Sequence, residues 1–498
     1  MNFCAVPRTT VSLLILLHLG ITIPLAYKLA IWADEAFTLH TTGQDVIYAF
    51  NQSLYFELQP PVYFVFLNVW RDLNSSIFFA RLFSVLCVAL TIKVAASISQ
   101  RLWRELHPGW VACVLAFHPF MIWAAMEIRV YALVMLLAAM LLLLFFDGYV
   151  VDADSRRARW LYLPVSVLAL YTYYYLGFIL VANALVLIFL RRWRVLFSYL
   201  ASMFAAGLCF APMTLIALRQ VSTHTRPLNA PTPLWEAAKI ISWRVKEYIL
   251  PTEESFLLSY RSWIFRVVYA SVAWFAARRV RQFLTTANIV IWTTAAITCL
   301  LFLAALRVTT EDMMLPRHTA VLFLPAILLA FSVMQLIRQR EGVLIGVLLM
   351  LIFNTFSFSI AYKKLTQERT WDQVAEYLKA NERPDQPILV FHAAAALPLA
   401  YYYSGSNALV PLPKENRFET FDIRDYVLRD EQEIFDAIAR TPGEHDELWL
   451  VTDDVCSYLD VDYNCQLLEG AINKHFYVES SRIFAITKVR LLHRKPIH

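Results

Sequence analysis

A chain of 498 residues that is 59% apolar and only 17% charged carries too little charge to solvate the surface of a soluble protein of that size. The formal net charge of +5 is gathered in short Arg clusters between apolar blocks, a pattern of membrane orientation and not of nucleic-acid binding. Glycine is scarce, at 11 residues, and no Gly-rich phosphate loop or Cys/His zinc spacing occurs, which argues against a nucleotide cofactor held by such a turn.

The apolar blocks are long enough to cross a hydrocarbon core, which takes roughly 20 helical residues. The first, from Val11 to Trp32, is longer than the ~7–15 apolar residues of a signal peptide and has no small-residue cleavage site, so it reads as a membrane helix. The expected spans fall at about 11–31, 77–98, 110–126, 130–147, 159–173, 175–190, 195–218, 262–276, 288–306, 318–337 and 343–361, about eleven in all. The stretch Gln59–Trp70 is left out. It is short, opens with Pro60-Pro61 and has polar flanks, which suits an interfacial helix.

The positive-inside rule tests that omission. With it, Arg101/Arg104, Arg156/Arg157/Arg159, Arg191/Arg192/Arg194, Arg278/Arg279/Arg281 and Arg338/Arg340 all fall on one side, the cytoplasm. Counting Gln59–Trp70 as a span reverses every later helix. The opposite face then receives the 32–76 loop, the turn around Glu127–Arg129, the 219–261 loop, the 307–317 turn and everything after about Leu365.

That last region differs in kind. Helix signals at Trp371–Leu378 and Glu431–Ala439 are interleaved with strand signals at Pro387–Phe391 and Glu447–Thr452, which predicts a small α/β domain. The expected division is a transmembrane domain over 1–365 and an extracytoplasmic α/β domain over 366–498. Outside the cytoplasm Cys456 and Cys465 are expected to form a disulfide, the alternative being two free thiols. Asp453, Asp454 and Asp460 read as a solvated acidic loop, the alternative being a cation site.

Three polar groups stand at the non-cytoplasmic water line. Asp34-Glu35 follows the first helix, Glu127, Arg129 and Tyr131 lie between the third and fourth, and Arg317-His318 opens the tenth. Each alone also fits a bland role: a charged helix end, a structural Glu–Arg ion pair, an interfacial anchor. Together, two acidic sites and several cations on one leaflet suit transfer of a group from a lipid-linked phosphate to a hydroxyl. A carboxylate takes the acceptor proton, and Arg and His stabilise charge on the departing phosphate. The 219–261 loop adds His224 and Arg226 and a basic amphipathic stretch from Trp235 to Tyr248. The run Tyr171, Tyr173, Tyr174, Tyr175 reads as an interfacial aromatic belt, the alternative being a surface on which a sugar stacks.

The runs Ala33-Asp34-Glu35-Ala36, Glu57-Leu58-Gln59-Pro60-Pro61-Val62-Tyr63 and Glu127-Ile128-Arg129-Val130-Tyr131, with Arg317-His318 before Pro325, resemble lipid-linked sugar transferases of the GT-C fold. The similar proteins are the protein O-mannosyltransferases and the lipid A aminoarabinose transferase, and the resemblance covers most of residues 1–365. It implies a polytopic helical membrane protein that inverts a sugar from a polyprenyl-phosphate donor, with no obligatory cofactor or metal. It also implies residence in the inner (plasma) membrane, with the C-terminal domain periplasmic. By position it makes Asp34, Glu35 and Glu127 catalytic carboxylates. Arg129, Arg317, His318 and Tyr131 become donor-phosphate ligands, and His224, Arg226, Gln59 and Tyr63 substrate-loop residues. Gln59 stands where the family often has His, which leaves proton handling there unsupported. The expected partners are the bilayer, the lipid-linked sugar and an acceptor that is lipid, polysaccharide or protein. The competing readings are a lipid or glycan flippase and a catalytically silent scaffold. Charges at one surface, with apolar helix centres and no repeat, weigh against the flippase.

Overall fold

Helices that are apolar all round bury themselves in lipid or in a helix bundle, because only there are both their side chains and their backbone satisfied. The structure, a computed structural model, describes residues 8–151, 155–223, 232–251, 285–307, 309, 314–337, 341–367, 369–441, 445–458 and 461–496. It divides into two compact units. The larger joins the segment ending at Tyr27 to Gln59–Ala361, and the smaller joins Lys28–Leu58 to Tyr362–His498.

In chain order α1 (Arg8–Lys28) leads into two short helices of the smaller unit, α2 (Ala33–Thr41) and α3 (Val46–Tyr55). The larger unit resumes with α4 (Val62–Arg71), only 10 residues and so about 15 Å long, half of what a span requires. There follow α5 (Ile77–Leu102), α6 (Gly109–Ala116), α7 (Pro119–Met126), α8 (Tyr131–Phe145) and α9 (Arg156–Leu170). The unit continues with α10 (Gly177–Phe189), α11 (Trp193–Phe210), α12 (Thr214–Thr223), α13 (Leu234–Ile249), α14 (Thr286–Leu306), α15 (Phe323–Ile337) and α16 (Glu341–Gln367).

Among the described residues six helices are long and apolar enough to cross a membrane, Tyr174–Phe189 and Ala320–Gln335 are shorter apolar helices, and the pair α6 and α7 makes a seventh span if counted as one. The helix expected at 262–276 lies outside the described residues. Where one helix was expected over 110–126, the chain bends by 59°. Pro119 lacks an N–H and forces His118 before it into an extended conformation, and His118 Nδ1 then accepts the Phe120 N–H at 3.1 Å, which caps α7. The helix expected over 195–218 is present as one span, Trp193–Gln220, which tightens for a single turn at Ala211–Met213 around Pro212.

The smaller unit has one five-stranded sheet. Its elements are α17 (Trp371–Asn381), β1 (Ile388–Phe391), α18 (Ala396–Ala400), β2 (Leu409–Leu412), α19 (Gln432–Ala439) and β3 (Glu447–Asp453). A two-stranded ribbon, β4 (Ser457–Tyr458) and β5 (Val461–Asp462), precedes α20 (Cys465–His475), β6 (Phe476–Phe484) and β7 (Thr487–Arg494). The strand order is β2-β1-β3-β7-β6, with β1 parallel to both β2 and β3 and the last two pairings antiparallel. Alternation along each strand assigns the two cores. Ile388, Val390, Trp449 and Val451 pack against α17 and α18, while Leu389, Phe391, Leu448 and Leu450 pack against α19 and α20. The sequence reading anticipated α17, α19, β1 and β3 but not β2, β6 or β7. β6 is an edge strand whose residues are mostly exposed, so it carries no apolar run to read.

Candidate functional site

Asp34 and Glu35 occupy the second and third positions of α2, where the helix dipole favours carboxylates. Adjacent helical positions point in different directions, and the pair is divided accordingly. Glu35 is fully buried and Asp34 is half-buried. One oxygen of Glu35, Oε2, accepts the backbone N–H of Trp32 at 3.3 Å, which caps the helix from within. The same oxygen pairs with the guanidinium of Arg369, itself almost entirely buried. Arg369 also donates to the Ala30 carbonyl at 3.3 Å, and the Ile31 N–H donates to the Tyr402 hydroxyl at 2.7 Å.

The inner face of α2 carries Glu35, Ala36, Thr38, Leu39 and Thr41. Thr38 and Thr41 donate to the Glu57 carboxylate at 3.4 and 3.2 Å, which ties α2 to the end of α3. His40 lies 3.0 Å from the Tyr48 hydroxyl. Burial holds His40 below its ordinary pKa.

In the larger unit Glu127, Arg129 and Tyr131 stand where α7 gives way to α8, and all three are buried. Glu127 has extended backbone, and its carbonyl accepts the Ser84 hydroxyl of α5 at 2.6 Å. Tyr131 stacks on Trp123 at 5.3 Å and meets the His318 ring edge-on at 6.4 Å. Arg317 Nε donates to His318 Nε2 at 3.3 Å. So Tyr131, His318 and Arg317, chosen from distant parts of the sequence, are brought together.

Two residues that the sequence reading treated otherwise belong to the same neighbourhood. Tyr173, read as part of an aromatic belt, is buried, and its hydroxyl donates to the His318 carbonyl at 3.0 Å. Tyr248, at the end of α13, donates to the Pro316 carbonyl and meets the Thr319 hydroxyl, both at 2.7 Å. From the same helix Arg244 donates to the Met314 carbonyl at 2.7 Å. The basic helix of the 219–261 loop is thereby fastened to the Met314–Thr319 segment. His224 and Arg226 lie outside the described residues.

Gln59 is half-buried before α4, and Tyr63 is buried within it. Arg81 passed unnoticed in the sequence. It is fully buried in α5, donates to the Ala26 carbonyl at 3.1 Å, and its signal was a lone charge inside an apolar block. Among the described residues no group of three or more His, Cys, Asp or Glu side chains is placed to hold a metal ion.

Cys456 and Cys465 are joined by a disulfide that closes the loop carrying β4 and β5. The acidic loop reading needs correction at Asp453. Its side chain is only 10% exposed and lies 3.6 Å from His392, while Asp454 is exposed and Asp460 lies outside the described residues. Asp453 ends β3, a central strand covered on both faces, and this carboxyl is buried with it.

Neither a protein-family model nor a curated protein matches the sequence. Among solved structures the chain is similar to ArnT from Cupriavidus metallidurans. Against ArnT bound to undecaprenyl phosphate the TM-score is 0.56 at 13% identity, over 97% of this chain and 98% of that one. Against the apo state it is 0.57, over 97% of each chain at 13% identity. The oligosaccharyltransferase of Archaeoglobus fulgidus in complex with Zn and sulfate gives 0.50 at 10% identity, over 89% of this chain and 68% of that one. At these identities the likeness is one of fold: the chain is a polytopic helical membrane protein with a GT-C glycosyltransferase-like fold and a small C-terminal α/β domain.

Proposed function

We propose that this protein is an integral-membrane inverting glycosyltransferase that moves a sugar from a polyprenyl-phosphate donor to an acceptor hydroxyl on the non-cytoplasmic face. The observation that carries the reading is the likeness, over almost the whole chain, to ArnT seen with undecaprenyl phosphate. In this reading residues 1–365 form the transferase domain of an inner-membrane protein, and 366–498 form a periplasmic domain. The Cys456–Cys465 disulfide supports that placement, since such bonds persist in oxidising compartments.

The chemistry is one displacement. The acceptor oxygen attacks the anomeric carbon, the bond from that carbon to the phosphate oxygen breaks, and configuration inverts. Asp34, the half-buried member of its pair, takes the acceptor proton. Negative charge gathers on the departing polyprenyl phosphate, and the cluster of Arg317, His318 and Tyr131 stabilises it together with Arg129. Glu127 is assigned to the acceptor side as a second carboxylate. The acceptor is a lipid, polysaccharide or protein, and no cofactor other than the lipid-linked sugar is required.

The test is transfer of radiolabelled sugar from polyprenyl phosphate in membranes carrying the wild type or Asp34→Asn. Loss of transfer, with insertion and abundance unchanged, is expected. Full activity in the variant removes the base assignment, and transport in proteoliposomes without any transfer replaces the enzyme reading by a flippase. Mass spectrometry of envelope glycolipids and glycoproteins from a deletion strain identifies the sugar and its acceptor.

A further inference from the structure

We infer that Arg369 and Tyr402, both from the C-terminal part of the chain, are positioning residues that hold the first turn of α2 and thereby aim Asp34. The inference rests on the reading of Asp34 as the general base.

Three ties converge on six residues. Arg369 binds the Ala30 carbonyl and the Glu35 carboxylate, and Tyr402 receives the Ile31 N–H. Glu35 passes the restraint on, because the oxygen that meets Arg369 also accepts the N–H of Trp32. The backbone on both sides of Asp34 is therefore fixed, while Asp34 itself stays half-buried. Without these ties residues 29–32 are irregular chain between two helices, with no ladder of their own.

The placement of the two anchors gives the arrangement its consequence. Arg369 follows the end of α16 by two residues, and Tyr402 follows α18. Both anchors, α2 and the five-stranded sheet belong to one compact unit. The C-terminal domain then contributes to catalysis by orientation, without supplying a group that touches substrate. A buried ion pair is also an expensive way to gain stability alone, because desolvation offsets much of its attraction, whereas its directionality fixes geometry. A general base must sit within hydrogen-bond reach of its proton, and a displacement of about 1 Å costs on the order of 100-fold in rate.

The experiment compares Arg369→Gln, Arg369→Lys, Tyr402→Phe and the double variant Glu35→Gln/Arg369→Gln with wild type and Asp34→Asn, as full-length protein. Arg369→Gln is expected to lower kcat by roughly 10- to 100-fold, with KM for the donor changed by less than about threefold. Arg369→Lys restores part of the loss, and the double variant is less impaired than Arg369→Gln because no lone carboxylate stays buried. Tyr402→Phe keeps the ring but takes this acceptor from the buried Ile31 N–H, so it lowers kcat by about three- to tenfold when assayed well below its own unfolding midpoint. Wild-type kcat in Arg369→Gln and Tyr402→Phe, while Asp34→Asn is inactive, overturns the inference and leaves the base assignment standing. If Arg369→Gln fails to accumulate, Tyr402→Phe decides alone. Full activity of Asp34→Asn instead removes the reading on which the inference rests.

Discussion

His392 Nε2 lies 3.6 Å from Asp453 Oδ2, at the carboxyl ends of the adjacent parallel strands β1 and β3. Both side chains are close to nine-tenths buried, and the rings of Tyr426 and Tyr463 stand 5.7 and 5.0 Å from the imidazole. Burial pushes His392 down to about 4 and Asp453 up to about 7, with exposed Asp454 adding to the second shift. The ordinary values are 6.5 and 3.8.

The signs of these shifts oppose each other. A depressed His392 removes stability as pH falls from 6.5 towards 4, and a raised Asp453 removes it as pH rises from 3.8 towards 7. In that window one proton sits on His392 in the unfolded chain and on Asp453 in the folded one, so the pair contributes almost no slope. Asp453→Asn should uncover a loss of stability with acid, and His392→Asn a loss with base, each approaching about 1.4 kcal/mol per pH unit. Hydrogen exchange at Leu448–Val451, followed against pH, measures this. Identical profiles for the wild type and both variants would sink the proton exchange.

The Cys456–Cys465 bond spans nine positions and places Tyr463 between the ribbon and α20, with the Tyr463 N–H donating to the Cys456 carbonyl at 2.8 Å. Opening so short a loop should cost about 2–3 kcal/mol through the entropy of the unfolded chain. Cys456→Ser/Cys465→Ser should therefore speed hydrogen exchange over Val461–Ile472 while leaving α5 and α8 unchanged. An unaltered exchange pattern would show that the bond restrains nothing.

Trp449 is almost completely buried in β3, and its indole N–H donates to Gln386 Oε1 at 3.0 Å. It packs against α17, so Trp449→Ala leaves a large cavity and removes one of the two hydrogen bonds that Gln386 Oε1 accepts. The expected loss is about 3–5 kcal/mol, read as a lower unfolding midpoint of the C-terminal domain. Trp449→Phe should lose less. A change below ~1 kcal/mol in the Ala variant would contradict the packing described.

In the proposed transfer the leaving phosphate is assigned to Arg317, which stands beside His318. Arg317→Ala should reduce kcat by roughly 100-fold, the magnitude typical of losing one donor to developing charge. Arg317→Lys should recover part of it, since charge remains but the planar fork does not. Unchanged steady-state kinetics for Arg317→Ala would move the phosphate site elsewhere.

Much of this architecture was legible in the order of residues. Apolar blocks of sufficient length, separated by Arg clusters, identify membrane helices because lipid imposes the same requirement at every position of a span. The short α4 was legible too, since two prolines and polar flanks mark a helix that stops early. Asp34-Glu35, Glu127–Tyr131 and Arg317-His318 stand out because charge in or beside an apolar block is costly. The same rule marks Arg81, a lone charge inside an apolar block.

What only the tertiary structure decided is which partners those residues meet. Two neighbouring carboxylates look alike in a linear string. Glu35 turns inward because α2 presents it to Arg369, and Asp34 does not. Tyr173 joins His318, and Asp453 joins His392, through contacts between segments that are far apart in the chain. Sequence reports local periodicity and solvation cost, whereas partnership depends on which distant surfaces the fold brings within a few ångströms.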